Sequence, residues 1–316
     1  MNKVQTEKYG TLTDVIFSET YDNGVLKGCA FDEKNNITTP IGILVPSYGP
    51  ANIRNREGLS LEFFKSGEIK SIDLEAATEV VTPLGLISAE RISFYENGSI
   101  HRLFPLNGRI NGYWTEENEY SLAKPMAFDL PIGSFSAKAV SLCFYESGAL
   151  KSLTLWPQEI IEIASPDGLV KVRYGFSLYE NGTLKSFEPA LPEPITTPVG
   201  VIIAYNCKAH GINSDENSVT YDPHGQLRSL LTSNSGLLIS TAAEKNLIQP
   251  QMKPGEIDPE IMIPEPMSII FHKDKLEIIH DDIIVVDLNL SEVRSILVHD
   301  PTEKACGNCS ECSHCG

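Results

Sequence analysis

The sequence predicts an all-β protein of repeated antiparallel hairpins. Three observations carry that prediction. A strand–turn–strand unit recurs around a glycine, a second proline–glycine turn alternates with it, and short apolar runs flank both turns. The first turn is clearest in "FYENGSIHRL" around Gly98, "FYESGALKSL" around Gly148 and "LYENGTLKSF" around Gly182. Its other copies are "TYDNGVLKGC" around Gly24, "FFKSGEIKSI" around Gly67 and "YDPHGQLRSL" around Gly225. A degenerate copy, "VDLNLSEVRSI", has lost the glycine but keeps Arg294, Ser295 and Ile296.

Two residues after each glycine stands an aliphatic: Leu26, Ile69, Ile100, Leu150, Leu184, Leu227. Three after it stands a base: Lys27, Lys70, His101, Lys151, Lys185, Arg228. The turn type follows from what varies. Serine replaces asparagine at Ser66 and Ser147 and tolerates positive φ badly, whereas Pro223 suits the second position of a type I turn. A type I turn followed by a left-handed glycine in a G1 bulge fits all six, because only the glycine is then obligatory.

The second turn reads "TPIG" at Gly42, "TPLG" at Gly85, "LPIG" at Gly133, "SPDG" at Gly168 and "TPVG" at Gly200. Proline presets φ and glycine ends the turn, so each unit is an antiparallel meander. Spacings between successive first-turn glycines are 43, 31, 50, 34 and 43 residues, too uneven for a regular solenoid.

The remaining elements follow in order. The longest insertion, between Pro105 and Leu130, contains "TEENEYSLAKP", which predicts a short helix with Thr115 as N-cap. A second short helix is expected at "TAAEKNLIQP", where Thr241 and Glu244 make a capping-box pattern. The expected division is a hairpin array over 1–240, this helix and a proline-rich acidic connector over 241–266, a terminal β segment over 267–299, and a cysteine-rich tail over 300–316.

The chain has 316 residues, 41% of them hydrophobic and 21% charged, as in soluble globular proteins. Its formal net charge of -17 repels phosphate backbones and anionic lipid, so neither nucleic acid nor membrane is an expected partner. The opening "MNKVQTEKYGTLTDV" has no apolar signal-peptide core, and no stretch approaches the roughly 18 apolar residues of a spanning helix; the expected compartment is the cytoplasm. Cys29, Cys143 and Cys207 sit in or near apolar strands and are expected to be reduced core residues.

The "FYENGxLKS" copies resemble the bacterial variant of MORN repeats, whose units carry Tyr-x-x-Asn-Gly-x-Leu-Lys hairpins. The resemblance covers the hairpin units. MORN units are shorter and richer in glycine, and the Thr-Pro-x-Gly turns are an addition here. The resemblance implies an all-β repeat architecture and an interaction role with a protein partner. The membrane binding proposed for some MORN proteins is at odds with the net charge.

Four residue sets could carry chemistry. The basic positions, with Arg294, could hold an anionic partner, but acidic neighbours such as Glu96, Glu146 and Glu180 favour surface cross-strand pairing. The aromatics Phe63, Phe64, Phe94, Tyr95, Phe144, Tyr145, Tyr179 and Tyr221 could form a carbohydrate or peptide stripe; as strand residues they are expected in the core. Trp114 with Glu116, Glu117, Glu119 and Tyr120 could serve glycoside chemistry, although acids at a helix start answer the helix dipole first. Nucleophile elbows, phosphate loops, dinucleotide fingerprints and His-Glu-x-x-His motifs are absent from the sequence, which weighs against an enzyme without deciding the matter.

The sharpest signal is Cys306, Cys309, Cys312 and Cys315, spaced C-x-x-C-x-x-C-x-x-C with His314 beside the last. Four thiolates satisfy tetrahedral zinc, and the opening spacing also matches a bacterial iron–sulfur run. Neither pattern fits cleanly: structural zinc knuckles are usually further apart, and the ferredoxin run places its fourth cysteine after three residues. Zinc and an iron–sulfur cluster both stay open. The expected function is a non-catalytic interaction scaffold with a metal-binding tail. The alternatives are a zinc or iron–sulfur protein for electron transfer or metal delivery that docks a partner through the array, and a carbohydrate-binding or carbohydrate-active protein.

Overall fold

A computed structural model describes residues 2–54, 58–211, 213–255 and 258–299. The described residues form an all-β fold with one α-helix among them, and their paired strands are antiparallel. The chain divides into two compact units, Met1–Phe128 with Ser136–Trp156, and Asp129–Phe135 with Pro157–Gly316.

In the first unit the main sheet runs in the order Leu150–Leu155, Ala139–Phe144, Ile100–Phe104, Gly85–Phe94, Ile69–Thr82, Leu61–Phe63, Leu26–Phe31, Val15–Thr20. In the second it runs Asp282–Asp287, Lys275–His280, Met267–Phe271, Leu227–Thr232, Val219–Tyr221, Leu184–Pro189, Gly168–Leu178, with Ile160–Ser165 paired to the last. The core of the first unit holds Phe31, Phe63, Leu61, Ile72, Ile92 and Phe144; that of the second holds Phe176, Phe187, Tyr221, Ile269 and Ile278.

The first turn has the geometry its sequence requires. In the opening copy Gly24 N–H donates to the Tyr21 carbonyl at 2.8 Å and Tyr21 N–H donates to the Val25 carbonyl at 2.8 Å, a type I turn closed by a glycine at φ +80°. The other five glycines have φ between +79° and +90°. Three residues on, a second irregularity recurs. Thr20 pairs with Leu26 and Glu19 with Gly28, which leaves Lys27 unpaired in the ladder. Lys70, His101, Lys151, Lys185 and Arg228 are skipped in the same way. The repeated base is therefore a β-bulge residue in all six hairpins, which increases the local twist.

In the second turn the hydroxyl before proline ties the loop. Thr82 Oγ1 donates to the Gly85 carbonyl at 2.8 Å and accepts the Leu84 N–H at 3.1 Å. Ser165 and Thr197 do the same across Gly168 and Gly200.

The helix expected in the insertion is present over Glu116–Leu122, capped by Thr115 and Asn118. The helix expected at 241 is not. Thr241 Oγ1 accepts the N–H groups of Ala243 and Glu244, and the strand Lys245–Ile248 follows directly, paired with Ser235–Ser240. A Thr-x-x-Glu pattern serves a capping box and a tight β-turn alike, because both place a hydroxyl under the following N–H groups; here the flanking strands decide. Within the proline-rich connector Met252–Pro254 pairs with Met262–Pro264.

Candidate functional site

Four of the basic positions are engaged by neighbouring side chains on their own strands and hairpins. Lys27 lies 2.8 Å from Glu19, Lys151 covers the Tyr145 ring at 5.9 Å, and His101 meets the Tyr95 ring edge-on at 4.7 Å. Arg294 bonds Glu292 two residues back. The aromatics separate into two sets. Residues four before the glycine, among them Phe63, Phe94, Phe144 and Tyr221, are buried in the cores. Tyrosines three before it reach outward to the next copy: Tyr21 Oη donates to the Phe63 carbonyl, Tyr95 Oη to Phe144 and Tyr179 Oη to Tyr221, each at 2.8 Å.

The insertion is closed by a charged clamp. Glu119, only 3% exposed, takes Arg54 Nε on Oε2 at 2.8 Å and a second Arg54 nitrogen on Oε1 at 2.7 Å. Trp114 Nε1 donates to Oε2 at 2.6 Å and Gly108 N–H to Oε1 at 2.8 Å. Arg54 also bonds Glu90 at 2.6 Å. Burial pushes the Glu119 carboxyl up, but these donors outweigh it and hold its pKa below the usual value. Arg54 is correspondingly pushed up by its bonds to Glu119 and Glu90. A carboxylate with four donors on its two oxygens is a fastener and a poor general base. Glu116 and Glu117, by contrast, are exposed on the first helical turn.

The second unit buries a different pair. The strand Gly168–Leu178 loops out between Val172 and Phe176, with Tyr174 at φ +60° and Gly175 at +128°. The loop directs Arg173 between the Tyr174 and Tyr205 rings, 5.0 and 4.7 Å from their centroids, and onto the Asn206 carbonyl at 2.8 Å. Glu188 lies 3.8 Å away and accepts the Ser218 N–H at 2.9 Å. Burial raises its pKa despite these partners.

An open cleft of about 570 Å³ lies in the first unit, lined by Phe17, Phe31, Tyr48, Glu62, Asp73 and Arg91. Arg91 is held there by Asp73 at 2.6 Å. Cys29 and Cys143 are fully buried, and Cys29, Cys143 and Cys207 are thiols outside any disulfide; burial pushes the Cys29 thiol up to about 12, which makes it unreactive. Cys306, Cys309, Cys312 and Cys315 lie outside the described residues, and among those described no group of three or more His, Cys, Asp or Glu is placed to hold a metal.

No protein-family model matches the chain, nor does any curated protein or solved structure. Function has to be read from the surface.

The surface carries one repeated feature that strand reading missed. The residue after the second-turn glycine is an exposed aliphatic: Ile43 and Leu86 in the first unit, Leu169 and Val201 in the second, each 54–70% exposed. Val81, opposite Leu86, is exposed too. Only the Gly133 turn departs, with Ser134. In the sequence these residues look like ordinary strand aliphatics; their signal was recurrence at one offset. Among the described residues no helix is long and apolar enough to cross a membrane.

Proposed function

We propose that this chain is a non-catalytic interaction scaffold of MORN-like hairpins that binds a protein partner through the aliphatics of its second turns. The recurrence of Ile43, Leu86, Leu169 and Val201 carries this reading. Single exposed aliphatics need no explanation, but the same one at the same offset in four turns does, because no packing inside either unit requires it. Lys27, His101 and Lys151 and the tyrosines Tyr21, Tyr95 and Tyr179, by contrast, are accounted for by contacts within and between hairpins. A photoreactive residue at position 86 should give a protein adduct that is lost when Ile43 carries aspartate, and one at position 169 an adduct that is lost when Val201 carries aspartate. No adduct, or the same adducts from a photoreactive residue at Glu79, would refute it.

The tail adds a metal to the proposal. Cys306, Cys309, Cys312 and Cys315 would hold zinc or an iron–sulfur cluster, since four thiolates complete a tetrahedral site without water. Anaerobic purification without a metal-binding tag, followed by metal and sulfide analysis, tests this. Metal that disappears when the four cysteines become serine supports the site; thiols that all react freely refute it. Removing 304–316 separates the roles: an unchanged adduct at position 86 places the scaffold first, and its loss makes the metal part of the docking function.

A further inference from the structure

We propose that the strand Asp282–Asp287 is a docking edge that takes up an extended segment of a partner protein whose two basic residues stand five positions apart. This goes beyond the turn aliphatics and uses different residues.

The strands Val15–Thr20 and Asp282–Asp287, each at one end of its unit's main sheet, are built differently. In the first unit Val15–Thr20 is broken in register, because Val15 pairs with Phe31 and Phe17 with Ala30, leaving Ile16 as a bulge. Lys27 and Glu19 form an ion pair beside it. Bulges and charges are the ordinary means by which a sheet edge avoids further pairing. In the second unit Asp282–Asp287 pairs with Lys275–His280 through six consecutive residues without a bulge. It contains no proline and no lysine, and among the described residues nothing pairs with its other side. Its sequence, Asp-Ile-Ile-Val-Val-Asp, is β-branched throughout between the aspartates. Ile283 and Val285 are 68% and 57% exposed, and neighbouring Ile279 is exposed beside Ile283.

An open, straight, apolar edge is a template for an added strand, with main-chain bonds for affinity and alternate side chains for selection. The charges choose the occupant. Two copies pairing antiparallel through this strand would set Asp282 against Asp287 twice, and like charges directly opposite are unfavourable. Each copy also carries a net charge of -17. Lys275 stands opposite Asp287 and His280 opposite Asp282 on the inner strand, but Lys275 is bonded to Glu277 at 2.8 Å, His280 lies 3.7 Å from Asp281, and Lys253 is bonded to Asp281 at 2.8 Å, so the open side of the strand presents the two aspartates without a base beyond them. An antiparallel partner strand with Lys or Arg opposite each aspartate meets both, and aliphatics opposite Ile283 and Val285 cover the exposed face.

The test uses two fluorescent peptides on the full chain, Lys-Thr-Val-Thr-Val-Lys and Glu-Thr-Val-Thr-Val-Glu, read by anisotropy. The lysine peptide should bind at least tenfold more tightly. The double variant Asp282→Lys/Asp287→Lys should reverse the preference, and a reversal cannot come from misfolding. Equal binding of both peptides, binding of neither, or an unchanged preference in the double variant overturns the proposal. Sedimentation is the second measurement. A dimer that Ile283→Lys dissolves would make a second copy the occupant and overturn it equally. The turn-aliphatic reading is untouched by either failure, since its adducts at positions 86 and 169 are read separately.

Discussion

Pro83 stands directly over Gly148. A Cβ added to that glycine would meet the proline Cγ at 3.1 Å. The relationship recurs: Pro40 faces Gly98 at 4.0 Å, Pro131 faces Gly182 at 3.1 Å and Pro166 faces Gly225 at 3.4 Å. The second turn of each copy thus packs on the first turn two copies later. The glycine is needed for its left-handed backbone and for the room it leaves the proline.

That double demand predicts a graded series. Gly24, at φ +80°, has nothing within 4 Å of its missing Cβ, so Gly24→Ala should lower stability by only about 1–2 kcal/mol of backbone strain. Gly148→Ala should lower it by more. In a double-mutant cycle read by denaturant unfolding, Pro83→Ala should recover about 1 kcal/mol of the excess. Equal losses at the two glycines would show that Pro83 contributes nothing.

The tyrosine ties give a second series. Tyr95→Phe and Tyr179→Phe each remove one hydroxyl from a carbonyl of the next hairpin, at Phe144 and Tyr221. Each should lower stability by about 1 kcal/mol, the net worth of one intramolecular hydrogen bond. Tyr21→Phe, which removes the bond to the Phe63 carbonyl, completes the set, and amide exchange should quicken first in the hairpin that loses its donor.

The Glu119 clamp predicts acid sensitivity in the first unit. The folded pKa is depressed, so the clamp stabilises fully above the ordinary glutamate value of about 4.3 and is lost as pH falls through the lower folded value. Glu119→Gln should destabilise by about 1–3 kcal/mol at neutral pH and show little of that loss in acid, because it removes one of the two carboxylates that hold the partly buried Arg54 and leaves only Glu90. Trp114 fluorescence reports the opening, since its indole N–H is bonded to the same carboxylate. Gly108→Ala should open the same insertion, as a Cβ there would lie 2.1 Å from Glu119 Oε2.

Glu188 predicts the opposite slope. Its folded pKa is raised, so its contribution is complete below the unfolded value and is lost as pH rises through the folded one. Unfolding measured at several pH values should show Glu188→Gln gaining on the native chain as pH increases. A constant difference across pH would contradict the buried, raised carboxyl.

Turn chemistry was the legible part of this protein. The glycine of each first turn, the proline and glycine of each second turn and the Thr115 helix start are dictated within a few residues, because φ limits and hydroxyl-to-amide bonds act locally. The all-β class followed from those turns and the runs between them. Where one local pattern serves two structures, as at Thr241 to Glu244, sequence alone could not choose; the pairing of Lys245–Ile248 with Ser235–Ser240 chose.

What the tertiary structure decided lies between residues far apart in the chain. The bases at the third position after glycine read as a stripe, but register with the opposite strand makes them bulges. Arg54 and Glu119 carry no joint signature, since nothing in either segment specifies the other until the insertion folds back. The exposed aliphatics and the straight edge at Asp282–Asp287 likewise depend on what is left uncovered after packing. Local sterics fix turns, whereas burial and register are properties of the assembled sheet, and only there do Leu86 and Ile283 differ from the strand aliphatics of the core.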